Sequence, residues 1–146
     1  MNNAPATTNG INMNTCFKCC VYNVYIYCGY DGNDAIHLDY AENCKIFNNY
    51  IKYAGRYGIY ITTGTNYSRI INNYIEDSTS CNIYYEDGSN NIITGNYIAG
   101  GGGGIDVRAS DFVISSNQIQ SSNAINVNGA TRGLISSNYI SSGNGY

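Results

Sequence analysis

IFNNYI, at Ile46–Ile51, is the first clear copy of a phrase that recurs along the chain. The later copies are IINNYI at Ile70–Ile75, ITGNYI at Ile93–Ile98, ISSNQI at Ile114–Ile119 and ISSNYI at Ile135–Ile140. The asparagine in the fourth place recurs after 24, 23, 21 and 21 residues. A period in the twenties indicates one supersecondary unit stacked along an axis, so the chain is predicted to be a solenoid.

A second phrase lies between these copies and alternates apolar with polar residues. Its copies are Ile36-His37-Leu38, Ile59-Tyr60-Ile61, Ile83-Tyr84-Tyr85, Ile105-Asp106-Val107 and Ile125-Asn126-Val127. Ile11-Asn12-Met13 resembles a first copy, and Val21–Ile26 resembles an altered asparagine phrase. Such alternation is typical of a strand with one buried face, and no segment has the helical spacing of apolar residues. Each unit must therefore stack on its neighbours to bury its apolar side.

The composition suits such stacking. Charged residues are only 12% of the 146 residues, against about 25% in typical domains. Asparagine, serine, glycine and tyrosine fill the polar positions instead. A column of like charges would repel itself, whereas stacked asparagine amides can hydrogen-bond along the axis.

The repeats resemble the parallel β-helix coils of the pectin-lyase-like superfamily over about residues 10 to 142. In that superfamily each coil has three strands, with an asparagine ladder in the turn between the second and third. The residues at the ladder place are Asn49, Asn73, Asn96, Asn117 and Asn138. Asparagine tolerates the left-handed backbone expected in such a turn. The resemblance implies an all-β, single-stranded right-handed parallel β-helix of about six coils, with three short strands per coil.

Charge and chain ends limit the partners and the domain plan. The net charge of −3 leaves no basic patch, so no nucleic-acid partner is predicted. No stretch is long and apolar enough to span a membrane, and the polar segment 1–9 lacks the apolar core of a signal peptide. We expect a polar lead over 1–9 and a β-helix over 10–146. Nothing after Ile140 resembles a cap. The chain is then either a fragment of a longer protein or one that self-associates through its uncapped coil ends.

The outward face of the first strand in each coil is the predicted ligand site. One outward column is Asn12, His37, Tyr60, Tyr84, Asp106 and Asn126, and the other is Asn14, Asp39, Thr62, Glu86, Arg108 and Asn128. Rings beside carboxylates and an arginine suit sugars, because a ring covers the apolar face while charged groups bind hydroxyls or uronates. The predicted ligand-binding residues are Tyr60, Tyr84, Glu86, Asp106 and Arg108. The alternative is a solvated face whose pairs only add local stability.

A second aromatic column follows the asparagine phrase. Its rings on one face could grip a glycan, but a structural stack is favoured. The column holds Tyr25, Tyr50, Tyr74, Tyr97 and Tyr139, interrupted by Gln118. Stacked rings would stabilise the sheet and shield the turn.

A catalytic interpretation depends on His37, Asp39 and Tyr60. These residue types could abstract and return a proton beside a uronate, and the set resembles the histidine, tyrosine and acid of alginate epimerases and related lyases. The order of acid and histidine is reversed, however, and Thr62 stands where a carboxylate is expected. Polygalacturonase-type motifs and an acidic calcium cluster are absent from the sequence.

No metal or cofactor is predicted. Gly100–Gly104 before Ile105-Asp106 partly resembles a calcium-binding nonapeptide, but Arg108 falls at its large apolar place and no second copy follows. Cys16-x-x-Cys19-Cys20 lacks the second pair and the histidine of a closed zinc site. Alignment places Cys19 and Cys44 in one column of adjacent coils, close enough for a disulfide or for stacked free thiols.

The function expected from the sequence is an extracellular or particle-surface module that binds or displays toward carbohydrate. One alternative is a polysaccharide (uronate) lyase or epimerase, and the other is a structural, self-stacking solenoid. The fold itself does not choose among these classes.

Overall fold

The computed structural model describes residues 9–30 and 33–141, which form a parallel β-helix of six coils. Each coil contributes one strand to each of three six-stranded parallel sheets. The fold class predicted from the repeats is confirmed. The predicted polar lead lies outside the described residues except for Asn9, and so does the end of the chain beyond Ser141.

The three sheets are named by the position of their strands in each coil. The first sheet is β1 (Ile11–Asn14), β4 (Ile36–Asp39), β7 (Tyr57–Ile61), β10 (Cys81–Tyr85), β13 (Ile105–Val107) and β16 (Ile125–Val127). The second sheet is β2 (Cys20–Tyr22), β5 (Lys45–Phe47), β8 (Arg69–Ile71), β11 (Ile92–Thr94), β14 (Phe112–Ser115) and β17 (Gly133–Ser136). The third sheet is β3 (Tyr25–Tyr27), β6 (Tyr50–Lys52), β9 (Tyr74–Glu76), β12 (Tyr97–Ala99), β15 (Gln118–Gln120) and β18 (Tyr139–Ser141).

Alternation places one aliphatic side chain of most second-sheet and third-sheet strands in the core, and two side chains of a first-sheet strand such as β4, Ile36 and Leu38. Each of them stacks on its equivalents in the next coils. Ile46, Ile70 and Ile93 form one such stack and are fully buried. The altered first copy follows the same register, with Val21 opposite Ile46 and Ile26 opposite Ile51. In the last described coil, Ile135 and Ile140 are 45% and 53% exposed, because no further described coil covers them.

The asparagine ladder is confirmed. The Nδ2 atoms of Asn49 and Asn73 each donate to Oδ1 of the ladder asparagine in the next coil over 3.0 Å, and those of Asn96 and Asn117 do so over 2.9 Å. One detail of the expectation is wrong. The left-handed residue is the one before each ladder asparagine, for example Asn48 with φ 54°. The ladder position is selected for its buried hydrogen bonds, since an unpaired buried amide is costly.

Within residues 9–30 and 33–141, no helix has the length and apolar character needed to cross a membrane.

Candidate functional site

The outward face of the first sheet, here called the first-sheet face, carries both predicted columns. Cα pairing aligns Asn12, His37, Tyr60, Tyr84, Asp106 and Asn126 in one column. In the second column Asn14 pairs with Asp39, and backbone hydrogen bonds carry the same register through Thr62, Glu86 and Arg108. Period-two alternation was therefore enough to predict the members of these two columns.

An aromatic cluster occupies the centre of this face. The ring centroids of Tyr60 and Tyr84 lie 5.3 Å apart in a stacked arrangement, and the Tyr57 ring lies 5.0 and 4.6 Å from them. Tyr84 is only 6% exposed, so its ring offers little surface to a sugar. Sequence reasoning missed Tyr57 because strict alternation back from Ile59 would turn this residue toward the core, whereas the alternation of β7 is interrupted at the buried Gly58.

A buried carboxylate at the edge of this face was also missed. Asp34 has a fully buried side chain, and it accepts two hydrogen bonds from the Arg56 guanidinium. Its Oδ2 also lies 3.0 Å from Nδ1 of His37. Burial alone raises the pKa of this carboxyl, but hydrogen bonds from His37 and Arg56 outweigh burial and lower the pKa below its ordinary value. Asp34 and Arg56 lie outside the predicted strands, so the repeat pattern gave no signal for this pair.

The three catalytic candidates are only partly brought together. The rings of His37 and Tyr60 are in contact, with centroids 4.7 Å apart. Asp39 instead accepts a hydrogen bond from Thr62 over 2.9 Å, and the carboxylate beside His37 is that of Asp34. The Tyr60 hydroxyl donates to Glu86. Burial and this hydrogen bond raise the pKa of Tyr60, so its phenol stays protonated at neutral pH and is not available to abstract a proton.

A cleft of about 370 Å³ opens beside the other end of the face, here called the Asp106 cleft. It is lined by Ser80, Cys81, Gly102, Gly103, Gly104, Ile105, Asp106, Asn123, Ile125 and Asn126. Oδ1 of Asp106 is shielded from solvent and has no hydrogen-bond partner among the described residues. Burial, followed by the charge of Asp106, raises the pKa of the Cys81 thiol to about 12, so this thiol stays protonated at neutral pH.

Arg108 follows the cleft residue Asp106 by two positions along the chain and is exposed. Its guanidinium carbon is 5.3 Å from the centroid of the Tyr84 ring. Within the described part of the chain, no carboxylate forms an ion pair with it. The arginine is therefore held by a cation–π contact while its donors remain free for an anion.

The tyrosine column of the third sheet has the geometry expected of a structural stack. The centroid distances from Tyr25 to Tyr50, from Tyr50 to Tyr74 and from Tyr74 to Tyr97 are 5.0, 4.7 and 4.5 Å. The Tyr50 hydroxyl donates to Glu76 over 2.6 Å. The rings mainly contact each other, which supports the structural interpretation.

The cysteines form a cluster that sequence reasoning did not assemble. The sulfur atoms of Cys16, Cys19 and Cys44 all lie within 4.8 Å of one another. The expected shared column of Cys19 and Cys44 is supported by the register, because Cys20 pairs with Lys45. The sulfurs of Cys16 and Cys44 are 3.5 Å apart, and all six cysteines are free thiols.

The chain belongs to the right-handed β-helix family, since the family described as "Right handed beta helix region" matches residues 9–146. This match agrees with the resemblance to the pectin-lyase-like superfamily. Neither the search of curated proteins nor the search of solved structures found a match. The comparisons thus establish the family, and the function has to be argued from the site.

Proposed function

We propose that this β-helix is a carbohydrate-binding module on the outside of a cell or virus particle, and that it binds acidic glycans through the first-sheet face. The observation that carries the proposal is the pairing of a partnerless acceptor, Oδ1 of Asp106, with the exposed Arg108 beside it. A shielded carboxylate oxygen without a donor is costly, so a ligand hydroxyl that donates to it would be favourable.

The two groups suit different parts of one sugar. Arg108 can hold a uronate or sulfate through two parallel hydrogen bonds. Asp106 can accept from a ring hydroxyl in the cleft. Glu86, which is exposed, lies one coil away, and Tyr60, which is half-buried, lies two coils away on the same face. Adjacent coils are about 4.8 Å apart, so an extended chain of sugars could contact several coils.

The test is a glycan array probed with the purified chain, followed by affinity measurements on the best acidic glycan. Asp106→Asn and Arg108→Gln should each weaken binding about tenfold or more, the effect of one charge-assisted hydrogen bond. Asp87→Asn and Arg69→Gln make the same charge changes outside this face and should leave affinity unchanged. Full affinity in both folded site variants, equal losses in the controls, or no glycan bound at all would contradict the proposal.

A lyase or epimerase remains the second candidate because the rings of His37 and Tyr60 are in contact. Their companion would be Asp34, since Asp39 is hydrogen-bonded to Thr62. Incubation of the chain with the bound glycan distinguishes the two functions. A product with a new double bond, or an inverted uronate, that disappears in His37→Ala would establish catalysis.

The third candidate is a self-stacking solenoid. It is supported by Ile135 and Ile140 of the last described coil, which are exposed at positions that are buried in the preceding coils. Sedimentation of the purified chain tests it directly. Filaments that form without any glycan affinity would favour this structural role over the binding module.

A further inference from the structure

We propose that Cys16, Cys19 and Cys44 form a binding site for one thiophilic d¹⁰ metal ion, Zn²⁺ or Cu⁺. We call these three residues the thiol cluster. Their sulfurs lie within 4.8 Å of one another, and those of Cys16 and Cys44 are 3.5 Å apart. Zinc–sulfur bonds of about 2.3 Å in tetrahedral geometry place ligand sulfurs about 3.8 Å apart. The three sulfurs therefore need only small shifts to share one ion.

The solenoid itself brings the ligands together. Cys16 and Cys19 lie in the turn between β1 and β2, and Cys44 lies in the equivalent turn of the next coil. The Lys45 amide donates to the Cys19 carbonyl over 2.9 Å, which aligns Cys19 directly with Cys44. The pair Cys16-x-x-Cys19 offers only two ligands in the sequence, and the stacking of the next coil adds a third, Cys44.

The next coils show what this turn holds when it has no thiols. The column of Cys19 and Cys44 continues with Ser68 and Asn91, whose side chains accept hydrogen bonds from the backbone of the preceding coil. Ser68 Oγ also lies 3.3 Å from the carbonyl oxygen of Ala41. Polar side chains thus tie successive turns together there, and an ion shared by three sulfurs would do the same for the first two coils.

The donor set selects the ion. Within the described residues the group contains no histidine or carboxylate, and three sulfurs prefer Zn²⁺ or Cu⁺ to hard cations such as Ca²⁺ and Mg²⁺. Cys44 is buried, Cys16 is half-buried and Cys19 is exposed, so solvent reaches the cluster from the Cys19 side. That opening leaves a fourth position for water on Zn²⁺, while Cu⁺ needs only the three thiolates. Binding releases thiol protons, because the thiolate is the ligand.

The test uses the purified full chain, reduced with a phosphine under inert gas. Zn²⁺ and Cu⁺ are titrated separately, each against a chromophoric chelator. One equivalent of at least one ion should be retained. Cys19→Ser should lower its affinity more than about tenfold, since even a change outside the ligand shell can cost that much. Cys20→Ser is the matched control, because Cys20 directly follows Cys19, is also exposed and lies outside the cluster.

Two further readouts separate a metal site from a packing role. Co²⁺ should give thiolate charge-transfer absorption in the unsubstituted chain and in Cys20→Ser, and clearly weaker absorption in Cys19→Ser, which keeps only two of the three thiolates. The bound ion should raise the unfolding temperature of the chain and of Cys20→Ser only. Failure to retain either ion against the chelators, or equal losses in Cys19→Ser and Cys20→Ser, would overturn the proposal. So would a Cys16–Cys44 disulfide in air combined with no metal retention after reduction.

Discussion

Arg56 donates to both carboxylate oxygens of Asp34, from Nε to Oδ1 over 2.9 Å and from Nη2 to Oδ2 over 2.7 Å. The Asp34 side chain is fully buried, whereas that of Arg56 is 42% exposed. The pair joins the segment before β4 to the segment before β7, and His37 contacts the same carboxylate. It therefore fixes one edge of the first-sheet face.

Hydrogen bonds to charged groups are worth about 1.5–3 kcal/mol, and the exposure of Arg56 lowers this value, so Asp34→Asn should destabilise the chain by about 1–2 kcal/mol. Asp111→Asn is a matched control, because Asp111 accepts from Arg132 in the same two-bond geometry at an exposed site. The control should change stability little. Urea unfolding of both variants measures the difference, and equal effects would show that burial of Asp34 is unimportant.

The same carboxylate predicts how stability depends on pH. The pKa of Asp34 is lowered in the folded chain from its ordinary 3.8. Its stabilising contribution is therefore fully present above pH 3.8 and is lost as the pH falls through the lower folded-state pKa. Asp34→Asn should flatten the stability curve in that acidic window and leave its slope at neutral pH unchanged. If Asp34→Asn lost stability in acid as steeply as the unsubstituted chain, Asp34 would not be the group responsible.

Asn96→Leu should destabilise the chain by about 1–3 kcal/mol, because it leaves neighbouring ladder groups without partners. Asn96 is 1% exposed and bonds to Asn73 and Asn117. Asn128→Leu, at an exposed position, is the control and should be close to neutral. Thermal unfolding of the two variants decides between a ladder that stabilises the fold and one that only accompanies it.

The glycine run before β13 predicts a contrast between adjacent residues. A Cβ added at Gly102 would lie 2.3 Å from the carbonyl oxygen of Ser80, while one at Gly103 would be 3.3 Å from its nearest neighbour, the Cys81 Cβ. Gly102→Ala should cost about 1–3 kcal/mol as overpacking against backbone. Gly103→Ala should cost clearly less. Equal unfolding temperatures for the two variants would show that the run is loosely packed.

Asp106→Asn should leave the free energy of unfolding unchanged or raise it, although it weakens glycan binding. Removing a charge whose shielded oxygen lacks a donor relieves a cost in the unliganded chain. Chemical denaturation in the absence of glycan measures this. A clear loss of stability would mean that Asp106 serves the fold, and the ligand argument would fail with it.

The repeat predicted the fold well because each coil meets the same packing problem. Alternation sufficed to place His37, Tyr60 and Tyr84 in one outward column and Asn96 in the ladder. Side-chain partners inside the face were harder to predict. The column pattern carries no information on segments between strands, and Asp34 lies in one of them.

The thiol cluster shows the same limit at a turn. Its sulfur-to-sulfur contacts depend on how two turns of adjacent coils fold relative to each other, which strand alternation does not specify. The alignment placed Cys19 beside Cys44, but the sulfur 3.5 Å from that of Cys44 belongs to Cys16. Turn geometry, rather than sheet register, decides which thiols meet.

The asparagine ladder gives the solenoid a polarity. Every described amide-to-amide bond runs the same way, from Nδ2 of one ladder residue to Oδ1 in the following coil. In the first coil the ladder place is held by Val24, whose backbone N–H donates to Oδ1 of Asn49 over 3.0 Å. At the other end, Asn138 is the last ladder residue among those the structure describes. A coil stacked after Asn138 could continue the amide chain only by presenting an amide oxygen to the Asn138 NH₂ group, so the ladder fixes the direction in which a further coil of this kind can stack there.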